Sequence, residues 1–375
     1  MKEIKMVDLS GQYEKIKSKV DDAIHRVLDS AAFIKGPEVK TFENALSSYL
    51  GAERVITCAN GTDALQIAMM ALGLQPGDEV ITTPFTFVAT VEVVKLLGLK
   101  PVFADIEPGS FNIDISKVEE KITKRTKAIV PVHLFGQCSN MEALKNLAEK
   151  HGLFIIEDAA QSLGSNYIFA NGSRKMSGTI GEIGCTSFFP SKNLGTYGDG
   201  GALFTNDSKL ADKLQAIVNH GMVQRYHYDF VGVNSRLDTL HAAILNVKLQ
   251  HLDEYNLARQ QAAEFYDNAL GELQGIKIPV RLKYSEHIFH QYTIRVENGK
   301  REALKAHLEK SSVPAMIYYP LSLHLQKAYS DLGYKKGDFP ITEKACLEVL
   351  SLPMHTELDA DQLHFITERV IEFVN

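Results

Sequence analysis

One lysine stands in the run Ser187-Phe-Phe-Pro-Ser-Lys192-Asn-Leu-Gly-Thr-Tyr-Gly-Asp-Gly-Gly201, between aromatic and small polar residues and ahead of four glycines. A solvated face is a poor home for a lysine in that company; a ligand that backbone must approach closely is a better one. Upstream, Leu153-Phe-Ile-Ile-Glu-Asp158 reads as a buried strand ending in two acids, at the edge of a parallel sheet where such folds bind ligands. A lysine for a Schiff base and an aspartate for a pyridinium nitrogen are the two groups pyridoxal phosphate needs most. Near its ordinary pKa Lys192 is protonated and a poor nucleophile, so the chemistry requires desolvation and a cationic ring nearby.

The neighbouring candidates each have a plainer use. Asp158 precedes Ala159-Ala160 and suits a helix N-cap as well as a ring nitrogen. Gln161 lies one helical turn on, placed for a ring hydroxyl or for solvent. Asn60-Gly-Thr-Asp63 falls between a strand and a helix, where free amides and a threonine hydroxyl form a phosphate site or an ordinary cap. Phe87 is able to stack on a ring or to fill a core. Arg236 is able to grip a carboxylate or phosphate in a fork, or to pair with Asp238. The thirteen histidines form no HExxH or similar cluster, so no metal site is expected. Without a Walker-type GxxxxGK run, a strand-linked GxGxxG or a GxSxG elbow, nucleoside-triphosphate, dinucleotide and α/β-hydrolase readings fail.

The elements that must position these residues alternate. Arg54–Cys58, Glu79–Thr82, Pro101–Asp105, Ala128–Val132 and Leu153–Glu157 read as strands, with helices at Thr62–Leu72 and about Val88–Leu97. That order predicts an α/β fold with a mostly parallel sheet covered on both faces. Asn171-Gly172 predicts a hairpin and an antiparallel excursion of the sheet ahead of the lysine. Ala202–Thr205 reads as a further strand, and one long helix is expected from about Leu237 to Leu270, phased by Leu240, Ile244, Val247 and Leu252. The 375 residues divide into a large domain over 1–250, with an N-terminal helical segment, and a smaller α+β domain over 251–375. A net charge of −6 without long basic runs argues against nucleic acid or anionic membrane as partner. Four scattered cysteines fit reduced thiols. The polar Met-Lys-Glu-Ile-Lys start and the lack of long apolar runs predict a cytoplasmic protein without a signal peptide or membrane span.

Together these residues resemble the sugar-nucleotide aminotransferases of the DegT/DnrJ family, within the fold-type-I pyridoxal phosphate enzymes. The resemblance runs along nearly the whole chain. It rests on Phe33-Ile-Lys-Gly-Pro-Glu38, Cys58-Ala-Asn-Gly-Thr-Asp-Ala-Leu65, Pro76-Gly-Asp-Glu-Val-Ile81, Glu157-Asp-Ala-Ala-Gln161, the lysine segment and Gly232-Val-Asn-Ser-Arg-Leu237. It implies a seven-stranded sheet, Lys192 as the Schiff-base lysine, Asp158 at the pyridine nitrogen, Gln161 on the hydroxyl side and Phe87 stacked on the ring. Gly61, Thr62 and Ser187 match phosphate-binding positions. Asn234 matches a residue that reaches the phosphate of the neighbouring subunit, which implies an obligate homodimer with shared sites.

Within the family the likeness is greatest to the WbpE type, which aminates C3 of UDP-2-acetamido-2-deoxy-3-oxo-glucuronate with L-glutamate as donor. Leu134-Phe-Gly-Gln-Cys138, His220-Gly221, Arg225-Tyr-His227 and Ser351-Leu-Pro-Met-His355 carry that likeness. Arg236, Tyr318 and Tyr319 are then the substrate-facing residues. Where the uronate enzymes carry His-Tyr-Pro, this chain has Tyr318-Tyr319-Pro320, so a charge suited to a sugar carboxylate is missing.

Overall fold

The computed structural model describes residues 3–375. The chain opens with α1 (Leu9–Ser30) and α2 (Pro37–Leu50). In α1, Ile16, Val20, Ala23 and Val27 recur on one buried stripe, the Asp8 carboxylate caps the first turn, and Ala31 ends the helix at φ 51°. The alternating part follows as β1 (Arg54–Cys58), α3 (Gly61–Ala71), β2 (Glu79–Thr82), α4 (Ala89–Leu96), β3 (Lys100–Phe103), α5 (Ile115–Lys121), β4 (Thr126–Ile129), α6 (Met141–His151) and β5 (Phe154–Asp158). After the hairpin β6 (Asn166–Ile168) and β7 (Arg174–Met176) come β8 (Ile183–Ser187), β9 (Gly201–Thr205), α7 (Ser208–Ile217) and the short ribbon β10 (Met222–Gln224) with β11 (His227–Tyr228).

Seven strands form one sheet in the order β1-β9-β8-β5-β4-β2-β3. Every pairing is parallel except those of β9, which runs against both β1 and β8. Helices cover both faces, so β2 and β9 are buried along their whole length and read as unbroken rather than alternating strands. The Asn171-Gly172 turn is present, with Gly172 at φ 82°. Its hairpin forms a separate two-stranded sheet, however, and β8 joins β5 in parallel, so the antiparallel excursion lies outside the main sheet.

The expected single helix over 237–270 is two: α8 (Thr239–Leu249) and α9 (Leu252–Leu270). Their apolar residues serve different cores. Leu240, Ile244 and Val247 pack with α1, Leu252 joins Phe42 and Phe188, and Ala262 and Tyr266 join the C-terminal layer. That layer holds β12 (Ile276–Lys277), β13 (Tyr292–Val296), α10 (Arg301–Lys310), α11 (Pro340–Glu348), β14 (Val349–Leu352) and α12 (Ala360–Val374). Its three strands are antiparallel, and its core includes Ile4 from the far end of the chain. No described helix is long and apolar enough to cross a membrane.

The reversed strand β9 carries Gly201 opposite Cys58, under the turn that opens α3. A Cβ there would lie 2.4 Å from the Asn60 carbonyl oxygen. Gly201→Ala is expected to cost about 1–3 kcal/mol, measured by denaturant unfolding. An unchanged midpoint would mean that the turn yields freely.

Candidate active site

The carboxyl ends of the strands open on a cavity of about 650 Å³, lined on one side by Gly61, Thr62 and Ser187 and on others by Asp158, Lys192 and Tyr318. Helix α3 begins at its wall. The Asn60 side chain accepts from Asp63 N–H, while the N–H groups of Gly61 and Thr62 find no partner in the described chain. Ser187, at the end of β8, lies so close that a Cβ on Gly61 would fall 2.7 Å from its Cβ. Two free amides, a helix N-terminus and two hydroxyls make a seat for a phosphate.

Across the cavity, strand alternation separates the two acids of β5. The Glu157 carboxylate turns away from the cavity and accepts from the N–H groups of Gly178, Ile180 and Gly181 at 2.8, 2.6 and 2.6 Å. Ser139 N–H donates to His133 Nδ1, so His133 Nε2 carries the proton and donates to Glu157 at 2.8 Å. Burial opposes the charge on Glu157, but these donors outweigh it and hold the carboxyl below its usual range. Asp158 faces the cavity. Thr90 Oγ1 donates to its Oδ2 at 2.8 Å and Ala160 N–H to its Oδ1 at 3.2 Å. Burial raises its pKa against those donors and the nearby Lys192 charge.

Lys192 sits on a folded loop. Phe188 N–H donates to Gly200, Lys192 N–H to Phe189 and Thr196 N–H to Phe188, all at 2.7–2.9 Å. Gly195 is required because a Cβ would meet the Pro190 carbonyl oxygen at 2.4 Å. Burial pushes the lysine down to about 8, only partly opposed by the Asp158 charge.

The other expected residues divide. Phe87, Gln161, Tyr318 and Tyr319 line the same cavity, Phe87 being 55% exposed within the single chain. Gln161 accepts from Phe135 N–H at 2.7 Å and donates to the Tyr319 hydroxyl at 3.3 Å. Asn234 and Arg236 do not line it; Asn234 is exposed and Arg236 half-buried. Ser235 between them ties that segment to the cavity mouth, accepting from Ala59 N–H and donating to Asp63 Oδ2 at 2.6 Å. Thr90, Ser235 and His290 were not singled out by their sequence context, because each acts through a partner far along the chain; Gln291 lines the cavity without any local signal of its own. Among the described residues no group of three or more metal-ligating side chains comes together.

The residues present fit a flat group with a phosphate at one end and a protonated ring nitrogen at the other. A desolvated carboxylate facing a cavity is best satisfied by a cation, and the free amides of α3 by an anion.

The model of the DegT/DnrJ/EryC1/StrS aminotransferase family matches residues 14–371. The chain is 48% identical over 363 residues to the UDP-2-acetamido-2-deoxy-3-oxo-D-glucuronate aminotransferase of Pseudomonas aeruginosa, covering 97% of this chain and 98% of that protein. It is 47% identical over 372 residues to the pleiotropic regulatory protein of Geobacillus stearothermophilus, covering 99% and 98%. The crystal structure of NtdA from Bacillus subtilis with its cofactor PMP bound superposes at a TM-score of 0.89 with 33% identity, covering 96% of this chain and 82% of that one.

A lysine with its pKa near 8 sets a pH dependence. Because the folded pKa is lowered, the reactive neutral amine gains about tenfold per pH unit up to about 8. Borohydride trapping of added pyridoxal phosphate on cofactor-free protein, followed by mass spectrometry, is expected to level off above that pH and to vanish in Lys192→Ala. A trapping rate still climbing at about pH 10, the ordinary lysine range, would overturn the assignment.

Proposed function

We infer the activity of this chain from its family: it belongs to the DegT/DnrJ/EryC1/StrS aminotransferases, and its cofactor is pyridoxal phosphate. We propose that it transfers the amino group of L-glutamate to C3 of UDP-2-acetamido-2-deoxy-3-oxo-glucuronate, in the cytoplasm, for the amino sugars of a surface polysaccharide such as O-antigen. The observation that carries this reading is the end-to-end 48% identity with the enzyme of that name. The retained Lys192 and Asp158 at one cavity favour catalysis over a purely regulatory role, whatever the name of the Geobacillus relative. We also take the division at 250/251 as the boundary between the two units.

Pyridoxal phosphate supplies an aldehyde that takes up an amino group and a ring that spreads the electron pair left by a departing proton. The chain supplies the rest. The amides of Gly61 and Thr62, with the Thr62 and Ser187 hydroxyls, hold the phosphate. Asp158 keeps a proton on the ring nitrogen, and Thr90 fixes the carboxylate for that task. Phe87 would cover the ring face, and Gln161 would stand on its hydroxyl side, both lining the cavity. The Lys192 amine, close to half neutral near pH 8, takes the proton from the donor's α-carbon and later returns one to the sugar carbon.

Asn234 and Arg236 serve the cavity of a second copy of the chain, making a homodimer with shared sites. Exposed Phe33, Ile34, Tyr226, Tyr228 and Val231 on neighbouring segments support this assembly, Val231 being 87% exposed. Arg236 grips the carboxylate of glutamate, of the uronate, or of each in turn, and Tyr318 and Tyr319 face the sugar. The uncharged Tyr318 favours a second reading, a 3-keto or 4-keto sugar nucleotide without a carboxylate at C6.

The deciding experiment converts the enzyme to its amine form with L-glutamate, removes the amino acid and adds ketosugar nucleotides singly. Return of the original absorbance with the UDP-3-keto uronate alone, and the amino sugar nucleotide in the mass spectrum, is the expected result. Return with a different ketosugar would move the substrate, and no bleaching by glutamate would displace the donor. Arg236→Ala is expected to weaken apparent affinity for at least one carboxylate substrate by about 10- to 100-fold; unchanged affinity for both removes Arg236 from the site.

A further inference from the structure

We infer that His290 is a positioning residue for Lys192: an acceptor locked with its Nε2 lone pair toward the cavity, where it orients the lysine amine without taking its proton. The inference rests on Lys192 as the reactive amine, and its first argument is a chain of hydrogen bonds with only one possible direction. The backbone carbonyls of Leu163 and Ile288 only accept. Asn256 Nδ2 donates to Leu163 O at 3.3 Å, which turns its Oδ1 toward Asn193. Asn193 Nδ2 donates to that oxygen at 2.7 Å and to Ile288 O at 3.4 Å. Asn193 Oδ1 is thereby left to accept, and its partner is His290 Nδ1 at 3.3 Å. The proton of the neutral ring therefore sits on Nδ1, and Nε2 keeps its lone pair.

The surroundings leave the ring little freedom. Asn193, Asn256 and His290 are all buried. Arg259 Nη1 donates to the carbonyls of Phe289 and His290 at 3.2 Å and of Met354 at 3.1 Å, pinning the backbone on either side of the ring. Nε2 has no partner in the described chain, yet it is not among the sealed, unpartnered atoms, and His290 lines the cavity with Lys192. Lys192 carries the only ammonium or guanidinium among the described cavity-lining residues. Burial and the charges of Lys192 and Arg259 hold His290 well below its ordinary pKa. No carboxylate is among the groups acting on it. The ring thus accepts a hydrogen bond across the working pH range but does not compete for the proton that Lys192 moves. Because Asn193 follows Lys192 directly, the same network ties the acceptor to the lysine's own backbone.

Nitrogen-15 NMR of the holoenzyme with labelled histidine tests this without turnover, His290→Gln assigning the signal. The expected result is a proton on Nδ1, a bare Nε2, and no titration of His290 around the ordinary histidine value. A proton on Nε2, or titration near the ordinary value of about 6.5, overturns the inference. Asn193→Asp sets a carboxylate against Nδ1 and favours the imidazolium, so the acid limb of kcat is expected to move up by about one pH unit or more. Loss of kcat by the same factor at every pH would mean a structural role only. His290→Leu is expected to lower kcat about 10- to 100-fold at nearly constant donor KM, with His290→Gln recovering part of it. A loss confined to KM, or no recovery, also overturns it. Bleaching by glutamate is a separate readout, so failure of the aminotransferase reading leaves the tautomer result standing.

Discussion

An ammonium and a carboxylate withdrawn from water into one cavity set the terms for the rest of the molecule. Burial drives both Lys192 and Asp158 toward neutrality, and each charge partly restores the other. A pair held so delicately works only if neither group can drift, and the fold devotes its polar contacts to that end. Thr90, at the start of α4, and the backbone of Ala160 hold the Asp158 carboxylate. The N–H of Asp158 donates to Pro131 and its carbonyl accepts from His133. The neighbouring acid does the outer part of the work: Glu157 ties His133 to the turn at 178–181, which leads into β8. One dipeptide at a strand end therefore orders the Asp158 side of the cavity directly and its wall at Ser187 through the strand beside it.

Reversal of β9 completes the geometry. A chain that left β8 and returned parallel would need a crossover helix; running back antiparallel, it needs only the loop that carries Lys192. The return places Gly201 against Asn60, so the lysine loop and the amino end of α3 meet backbone to backbone. The glycines after the lysine are thus explained by contact rather than by flexibility. Gly195 lies on the carbonyl of Pro190, Gly198 on the ring of His241 and Gly201 on the turn of α3.

What was legible in the sequence was whatever announces itself through near neighbours. Lys192 stood out by its aromatic and glycine context, Asp158 by ending an apolar strand, and Gly61-Thr62 by lying between strand and helix. Thr90, Ser235 and His290 had no such context. Their partners lie 68, 172 and 97 residues away, and a lone threonine, serine or histidine gives no periodic signal. The break between α8 and α9 was hidden for a related reason. Gln250-His251 contains neither glycine nor proline, and the bend comes from packing one helix on α1 and the other on the C-terminal layer. Strand alternation was legible in principle: adjacent acids on a strand must face opposite ways, which already separates a structural Glu157 from a cavity-facing Asp158.

The charge of the cavity wall bears on what else the site needs. Its described acids are Asp63, Asp158 and Asp199, and its one ammonium is Lys192. On the proposed activity both substrates bring carboxylates, glutamate two and the uronate one, besides a diphosphate. A wall of that sign repels such ligands unless cations arrive from elsewhere. Tyr318 offers a hydroxyl but no charge, and the Tyr319 hydroxyl is already engaged by Gln161. Arg236 meets the need by type but lies outside the cavity of its own chain, on the segment that Ser235 anchors to the mouth. Electrostatics therefore favours the same arrangement as the exposed apolar residues around Asn234: a second copy closing the site and supplying the positive charge that the single chain lacks.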